Sequence, residues 1–413
     1  MIARTAFIFL ATVLTLIVAM GCGKTWQEMP DATEDEAGSG TEVPEEYASL
    51  YGELETKLGE LDTYLEGRSG GENGSTVFSV ELVAANSNRG EELFREGTIY
   101  AIQATLDSLK ELGVGGITLS VQYPVLNPDF PRSSEYLGFY RQVAAEVRSR
   151  GLALIVETTT VFPQPEVSPL GVDYSGLTLE EYMREKRAMT ETVLRELRPD
   201  YLTVENEPMT QQSNTGLAFT VANQTQIVNH ILAGLDRAGT RIGAGAGSWD
   251  DLAYFESLAA NTTVDYLDIH FYPIQGDAIL DRAEQVSAIA RTHGKELASA
   301  ESWLYKISGE ELSRSETVAT AIDTFARDGY SFWAPLDQAY LEVMVELARY
   351  LDFAFLSPFW MQYLYGYVEY SALTEDMTYG ELQRASGQNA WISIRSGVLS
   401  PTGETYKELI YPR

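Results

Sequence analysis

Two glutamates lie where buried strands are predicted to end. Glu207 follows an apolar run in the triplet Asn206-Glu207-Pro208, and Glu301 directly follows the predicted strand 296–300, in which Leu297, Ala298 and Ala300 are apolar. A carboxyl group at the end of a buried strand loses hydration, so its presence there suggests a chemical role. Two carboxyl groups facing one sugar carry out glycoside hydrolysis, because one protonates the leaving oxygen and the other attacks the anomeric carbon. The chain between the two glutamates is long enough for two further strand–helix units.

The chain from residue 77 onward indicates how these carboxyl groups are positioned. Eight apolar runs bounded by turn residues alternate with segments of helical periodicity, which predicts βαβ units in a (β/α)8 barrel. The strands are predicted at 77–83, 116–121, 153–158, 201–205, 241–245, 266–271, 296–300 and 353–357, and helices at 99–112, 136–150, 179–197, 218–238, 279–293 and 336–350. A doubly wound open sheet is the alternative, but it usually has a Gly-rich turn after its first strand, which residues 83–88 lack.

The strand count places both glutamates on one face of this barrel. Glu207 falls just after strand four and Glu301 at the end of strand seven. Active sites of such barrels lie at the C-terminal ends of the strands, so both carboxyl groups are expected on the catalytic face. Glu205, two residues before Glu207, is the local competitor for the same role.

The sequence around both positions resembles clan A of the glycoside hydrolases, a superfamily of (β/α)8 retaining enzymes. Residues 203–208, Thr-Val-Glu-Asn-Glu-Pro, resemble its Asn-Glu pair after strand four, and residues 298–303, Ala-Ser-Ala-Glu-Ser-Trp, resemble its glutamate at the end of strand seven. The resemblance implies that Glu207 is the general acid/base and Glu301 the nucleophile. It also implies that Asn206 hydrogen bonds the sugar 2-hydroxyl.

Strands six to eight extend the resemblance. His270 and Tyr272 share one face of strand six by alternation. In the clan a tyrosine at this place commonly donates its hydroxyl to the nucleophile, and a nearby histidine lines the site. Trp360 after strand eight resembles the aromatic floor beneath the bound sugar, and Trp303 after strand seven is a further candidate for sugar contact.

One clan feature is missing from the end of strand two. Many clan families have an arginine there, whereas residues 120–123 have none. Arg89 in the first loop and Arg132 in the second loop are the candidate replacements. The family within the clan is therefore left open.

Composition limits the partners and cofactors. The net charge of −31 disfavours nucleic acid, which is bound by clustered Lys and Arg. One cysteine, Cys22, allows neither an intrachain disulfide nor a thiolate metal cluster, and the three histidines show no ligand spacing. We therefore expect neither a metal nor another cofactor, and the carboxyl pair and the family resemblance imply a carbohydrate substrate. The sequence does not indicate the oligomeric state.

The N-terminus is predicted to target the chain to the cell envelope. Residues 1–21 have a charged start and an apolar run too short to span a bilayer comfortably, which indicates a signal peptide. Residues 18–22, Val-Ala-Met-Gly-Cys, resemble a bacterial lipobox, which implies that Cys22 is acylated and anchors the protein to a membrane by lipid alone. An ordinary secretory signal or an uncleaved anchor is the alternative. An acidic tether at 22–44, a helix and connector at 45–74 and the barrel at 75–413 are predicted to follow.

These patterns predict a retaining glycosidase that cleaves β-glycosidic bonds of a neutral oligo- or polysaccharide. Long aromatic loops at 161–178, 304–335 and 363–389 are expected to build its substrate cleft, and favour endo action. A non-catalytic glycan-binding lipoprotein on the same barrel would keep the aromatic residues but need neither glutamate. A transglycosylase would use the same carboxyl pair, because exclusion of water decides between the two reactions.

Overall fold

The computed structural model describes residues 42–68, 76–165, 167–272, 274, 278–314 and 326–411. The predicted signal peptide, Cys22 and most of the acidic tether lie outside the described residues.

The eight predicted strands form a closed parallel barrel in sequential order, which confirms the predicted fold class. The barrel closes where β1 pairs with β8, with Val77 opposite Phe355 and Phe78 opposite Leu356. The strands are β1 Val77–Glu81, β2 Gly116–Ser120, β3 Ala153–Glu157, β4 Tyr201–Thr203, β5 Arg241–Gly247, β6 Tyr266–His270, β7 Glu296–Ser302 and β8 Phe353–Pro358.

Helices surround the barrel, and each predicted helix is present with shifted ends. None of the helices in the described part of the chain is long and apolar enough to cross a membrane. The helices are α1 Ala48–Leu65, α2 Thr98–Leu112, α3 Ser133–Ser149, α4 Leu179–Glu196, α5 Pro208–Thr215, α6 Val221–Leu232, α7 Leu252–Asn261, α8 Ile279–Thr292, α9 Gly309–Arg314, α10 Ala334–Tyr350, α11 Tyr379–Ser396 and α12 Pro401–Ile410.

Two expectations about helices and loops were wrong. The helix predicted at 218–238 is shorter, because Thr220 caps its start through the backbone N–H of Asn223 and the chain leaves the helix after Leu232. The loop predicted at 363–389 contains the first half of α11, which begins with a capping box between Thr378 and Glu381. This box satisfies backbone groups at the helix start, and its Thr-x-x-Glu pattern was a readable helix signal.

Helix α1 packs against the barrel as an added element. The Tyr51 ring stacks on Trp333 with ring centroids 5.8 Å apart, at the start of α10. Tyr47, just before α1, stacks on Phe332 at 5.3 Å. Trp333 is therefore engaged in anchoring α1.

Aromatic rings fill the lower interior of the barrel. Phe355 lies 5.0 Å from the Tyr201 ring and 5.5 Å from the Tyr266 ring, both in edge-to-face contact. Tyr201 and Tyr266 begin their strands, so this layer closes the N-terminal end of the barrel. The C-terminal end is left for polar side chains, where barrel active sites lie.

Strand β5 carries glycine at positions where a side chain would collide with neighbouring groups. A Cβ on Gly243 would lie 2.1 Å from the Tyr266 ring, and one on Gly245 would lie 1.6 Å from the carbonyl oxygen of Asp268. The atom that a Cβ on Gly245 would meet belongs to the backbone of β6, with which Gly245 is paired in register. A rotamer change therefore cannot make room for a side chain there.

We expect Gly245→Ala to destabilise the barrel by more than the roughly 1–3 kcal/mol that overpacking of a core typically costs, because the clash is with backbone. Thermal unfolding measures this loss. Gly59→Ala is the control: its Cβ meets no atom within 4 Å on the exposed face of α1, and it should gain about 0.5–1 kcal/mol in helix propensity. An unchanged midpoint in Gly245→Ala would contradict the packing described.

Candidate active site

Glu207 is placed by an unusual backbone turn after β4. It has φ 46° and ψ 65°, a left-handed conformation that is uncommon outside glycine, and the following Pro208 begins α5. The side-chain oxygen of Asn206 accepts the Glu207 backbone N–H at 2.7 Å and supports the turn. Strained backbone of this kind persists where the surrounding structure holds it, and it occurs frequently at active sites.

Glu301 lies near the end of β7 and approaches Glu207 across the mouth of the barrel. One carboxylate oxygen of Glu207, one of Glu301 and a ring nitrogen of His270 all lie within 4.8 Å of one another. Tyr272 donates its hydroxyl to Glu301 Oε2 at 2.7 Å. The carboxyl separation is therefore compatible with the roughly 5–5.5 Å of retaining glycosidases, and shorter than the roughly 6.5–9.5 Å of inverting ones.

His270 connects the carboxyl groups at this mouth. Its Nδ1 lies 2.8 Å from Glu207 Oε1 and 3.7 Å from Glu301 Oε2, and its Nε2 lies 3.1 Å from Glu157 Oε1. Burial lowers the pKa of His270, but the charges of Glu157 and Glu301 outweigh burial and raise that pKa well above 6.5. The imidazole is therefore suited to donate hydrogen bonds to carboxylates on both sides.

Two further buried carboxyl groups end strands β1 and β3, and the sequence analysis did not single them out. Glu81 accepts hydrogen bonds from Asn86 Nδ2 at 2.8 Å and from Ser120 Oγ at 2.7 Å. Burial, reinforced by the charge of Glu157, raises the pKa of Glu81 to about 8. Both glutamates obey the rule that identified Glu207 and Glu301, a carboxyl group at the end of a buried strand, and that rule was the signal available.

The loop after β5 adds Asp250 to the site. Its Oδ2 accepts the Gly247 backbone N–H at 2.9 Å. Burial raises the pKa of Asp250 to about 8, and the charge of Glu207 contributes to the rise. Trp249, next to it and partly exposed, lies with its ring 6.2 Å from the Tyr272 ring.

Glu205 is held away from the barrel interior. Its carboxylate lies 3.1 Å from the ammonium of Lys186 on α4, with both side chains fully buried, and it accepts the Tyr182 hydroxyl at 2.7 Å. Glu205 therefore serves as the partner of a buried lysine, whereas Glu207 faces His270.

The predicted sugar-contacting residues divide into two groups. Asn206, His270 and Tyr272 lie at the paired glutamates, and the Asn206 amide also donates to the Asp268 carbonyl at 3.4 Å. Trp303 and Trp360 are buried and pack near Tyr363, at ring-centroid distances of 5.8 and 6.2 Å. Contact of either tryptophan with a sugar stays a prediction.

The ring that stacks directly on Tyr272 belongs to Tyr305, at 4.6 Å. Tyr305 follows β7, and it interacts electrostatically with both Glu207 and Glu301. Together with Trp249, it places aromatic surface beside the carboxyl pair.

The two candidate arginines occupy other environments. Arg132 pairs with Glu91 at 2.9 Å and with Glu135 at 2.7 Å near the surface. Arg89 is buried beside Glu92 at 3.4 Å. The ion pairs of Arg89 and Arg132 are with other glutamates and not with Glu207 or Glu301. These pairs therefore do not reproduce the arginine that many clan members have after strand two.

A second cluster of metal-ligand-type atoms lies beside the paired glutamates, and hydrogen bonding accounts for it. Glu157, Asp268 and His270 bring ligand-type atoms within 4.8 Å of one another. However, Asp268 Oδ2 accepts from Thr203 at 2.7 Å and its Oδ1 accepts the Ala300 backbone N–H at 2.9 Å. The oxygens of Asp268 are thus already engaged, and we assign this cluster to hydrogen bonding.

Solved glycoside hydrolases share this barrel fold, although no family model and no curated protein matches the chain. GH5_18 from Bifidobacterium longum subsp. infantis has a TM-score of 0.52 at 12% identity, over 81% of this chain and 78% of that one. A Bifidobacterium longum subsp. longum GH5_18 variant in complex with Manb1-4GlcNAc has a TM-score of 0.51 at 13% identity, with the same coverage. A family 1 b-glucosidase from Thermotoga maritima has a TM-score of 0.50 at 9% identity, over 82% and 98%. At these identities the likeness shows the fold alone.

Because Glu205 and Glu207 have different surroundings, we expect their replacement by alanine to affect stability to different extents. We expect Glu205→Ala to destabilise the protein by about 3–5 kcal/mol, because it leaves Lys186 charged and unpaired in the interior. Glu207→Ala keeps the Cβ and therefore the left-handed strain, but it relieves crowding of carboxyl groups at the cost of one hydrogen bond, so its unfolding midpoint should change little. Thermal unfolding of both variants measures the contrast, and equal losses would contradict it.

Proposed function

We propose that this protein is a retaining glycosidase that cleaves β-glycosidic bonds of a neutral oligo- or polysaccharide. The observation that carries the proposal is the approach of Glu207 and Glu301 to within 4.8 Å at the C-terminal mouth of the barrel. Tyr272 on Glu301 and His270 on Glu207 give each carboxyl group its own hydrogen-bond partner. The barrel shared with solved family 5 and family 1 glycoside hydrolases supports the proposal at the level of the fold.

The proposed reaction proceeds in two displacements. Glu301 attacks the anomeric carbon while Glu207 gives its proton to the leaving glycosidic oxygen, and a glycosyl ester forms on Glu301. The carboxylate then left on Glu207 accepts a hydrogen bond from His270 Nδ1 at 2.8 Å, which stabilises it. In the second displacement Glu207 takes a proton from water, the oxygen of that water attacks the anomeric carbon, and Glu301 leaves as a carboxylate. The Tyr272 hydroxyl stabilises that departing charge.

The substrate panel follows from the proposal and from the neighbours. One structural neighbour was solved with Manb1-4GlcNAc and another is a b-glucosidase, so β-mannosides and β-glucosides belong in the panel with other neutral β-glycans. Aryl β-glycosides belong there as well, because a good leaving group needs little help from the general acid.

We expect the two glutamates to differ in chemical rescue. Glu301→Ala should abolish turnover, and azide in the position of the lost nucleophile should yield the α-glycosyl azide. Glu207→Ala should lose about 10²–10⁴-fold on natural glycosides, keep activity on activated aryl glycosides and yield the β-glycosyl azide.

Product analysis by NMR, on the chain purified in detergent, distinguishes these outcomes. Glu96→Ala, which removes an exposed carboxyl group, is the control and should match the wild type. Full activity in Glu301→Ala would contradict the proposed nucleophile. Glycan binding without turnover in the wild type would favour the non-catalytic alternative, and transfer of the sugar to an added glycan would favour a transglycosylase.

We also propose that the protein is held at the bacterial cell envelope by acylation of Cys22. The support is the lipobox-like sequence Val-Ala-Met-Gly-Cys behind a short apolar run. In the producing cell, Cys22→Ser should lose metabolic palmitate labelling and move out of the detergent-soluble membrane fraction. Labelling that is unaffected by the substitution would contradict the anchor.

A further inference from the structure

Trp249 keeps exposed aromatic surface at the mouth of the barrel. The Tyr272 ring contacts three aromatic rings of the described residues, at centroid distances of 6.2 Å for Trp249, 4.6 Å for Tyr305 and 6.3 Å for Phe359. Tyr305 and Phe359 are fully buried, whereas Trp249 is only partly buried. The Tyr272 hydroxyl hydrogen bonds the carboxylate of Glu301 at 2.7 Å. Trp249 therefore presents a ring to solvent one side chain away from the proposed nucleophile.

The turn after β5 fixes Trp249 in this place. Gly247, the last residue of β5, is paired in register with His270, and the Ser248 backbone N–H donates to the His270 carbonyl at 2.9 Å. A Cβ on Gly247 would lie 2.1 Å from the indole ring, so glycine lets the ring fold back over the strand end. Asp250 closes the turn, because its Oδ2 accepts the Gly247 N–H and its own N–H donates to the Gly247 carbonyl, both at 2.9 Å.

The indole ring of Trp249 is held by packing and not by a hydrogen bond of its own. Its Nε1 is buried and has no acceptor among the described residues. A buried tryptophan N–H usually has a partner, so stability of the turn alone does not explain a tryptophan at this place. Aromatic surface beside a few convergent polar groups is typical of ligand sites. The exposed part of the ring is therefore a candidate sugar contact.

The two paired glutamates divide the mouth of the barrel. Glu207 follows β4 and Glu301 lies on β7, so β5 and β6 form one side of the line between them, and β8, β1, β2 and β3 form the other. The carboxyl pair flanks the bond to be cleaved, so the two sugars that this bond joins lie on different sides. Trp249, directly after β5, lies on the β5–β6 side.

The β5–β6 side suits the sugar that leaves. After the first displacement this sugar must pass into solvent and water must take its place, while the other sugar stays bound as the glycosyl ester. The partly exposed ring of Trp249 meets this requirement. On the opposite side, the carboxyl groups of Glu81 and Glu157 are at most 1% exposed, which suits the sugar that is retained.

We propose that Trp249 is the stacking platform for the sugar that leaves. The proposal rests on the proposed glycosidase function and narrows its substrate class. The cleaved bond joins two sugar residues, and the leaving sugar is a pyranose with a continuous face of C–H groups. Such a face packs on the electron-rich face of an indole ring. This contact needs neither of the buried tryptophans, Trp303 and Trp360.

Two substrates with the same first sugar test the platform. A β-glycosyl fluoride releases only fluoride, whereas the matching β-linked disaccharide releases a sugar. We expect Trp249→Ala to lose about 10–100-fold more in kcat/KM on the disaccharide than on the fluoride, because kcat/KM includes the first displacement, in which the leaving sugar is still bound. Trp249→Phe keeps an aromatic face and should lose less on the disaccharide. Equal losses on both substrates in Trp249→Ala would overturn the proposal.

The ratio of the two activities separates the platform from a general effect on folding. Both substrates are measured on one preparation, so a partly unfolded variant changes both activities equally and leaves their ratio unchanged. Gly247→Ala keeps the tryptophan but displaces its ring, and should change the ratio in the same direction as Trp249→Ala. Trp391→Ala is the matched control, because it removes a partly exposed indole from α11 that packs near the exposed Tyr100, and its ratio should match the wild type.

Binding without turnover tests the same contact independently. A β-1,4-linked glucose or mannose tetrasaccharide is titrated by calorimetry into Glu301→Ala and into Glu301→Ala combined with Trp249→Ala. We expect the combined variant to bind about tenfold more weakly, because the aromatic contact is lost. Equal affinity in the two proteins would overturn the platform. Failure of the glycosidase proposal is recognised separately, by a wild type that is inactive on both the fluoride and the disaccharide.

Discussion

The site depends on the balance of charge around His270. Carboxyl groups from the ends of several strands converge on a single buried imidazole, which lies 2.8 Å from Glu207 and 3.1 Å from Glu157. Buried negative charges at such distances cannot all persist, so protons must be shared among them. In the proposed reaction, the two functions of a protonated acid and an ionised nucleophile depend on where these protons reside.

The barrel produces this convergence because side chains alternate between the two faces of each strand and because neighbouring strands are paired in a fixed register. The lower interior is filled by the rings of Tyr201, Tyr266 and Phe355, so the polar residues that follow on the same strand faces meet at the C-terminal mouth. Glycine at positions 243 and 245 of β5 lets β6 approach closely. Asp268 is fixed there through both oxygens, and His270, two residues farther along the same face, is thereby directed toward the carboxyl groups.

Much of the fold was predictable, because eight apolar runs alternate with amphipathic segments and the barrel has a fixed strand count. The positions of Glu207 and Glu301 were predictable for the same reason, since each follows a recognisable strand. Glu205 could not be separated from Glu207 by sequence alone. The ion pair between Glu205 and Lys186 depends on where β4 ends, and the sequence does not mark that boundary.

Other features depended on tertiary contacts that the sequence does not display. Trp303 and Trp360 follow strands as expected, but both rings are buried against neighbouring aromatic residues. Glu81 and Glu157 also lie at strand ends, yet the carboxyl pair of the family resemblance belongs to strands four and seven. Their importance becomes visible once the barrel brings β1, β3 and β6 to the same imidazole.

The stereochemistry of the reaction tests the central claim most directly. Proton NMR can follow the first-formed product of an aryl β-glycoside before its anomers interconvert. Two displacements by Glu301 and then water predict that the β-anomer appears first. Initial release of the α-anomer would show a single displacement by water, and would contradict both the nucleophilic role of Glu301 and the account of the site built on it.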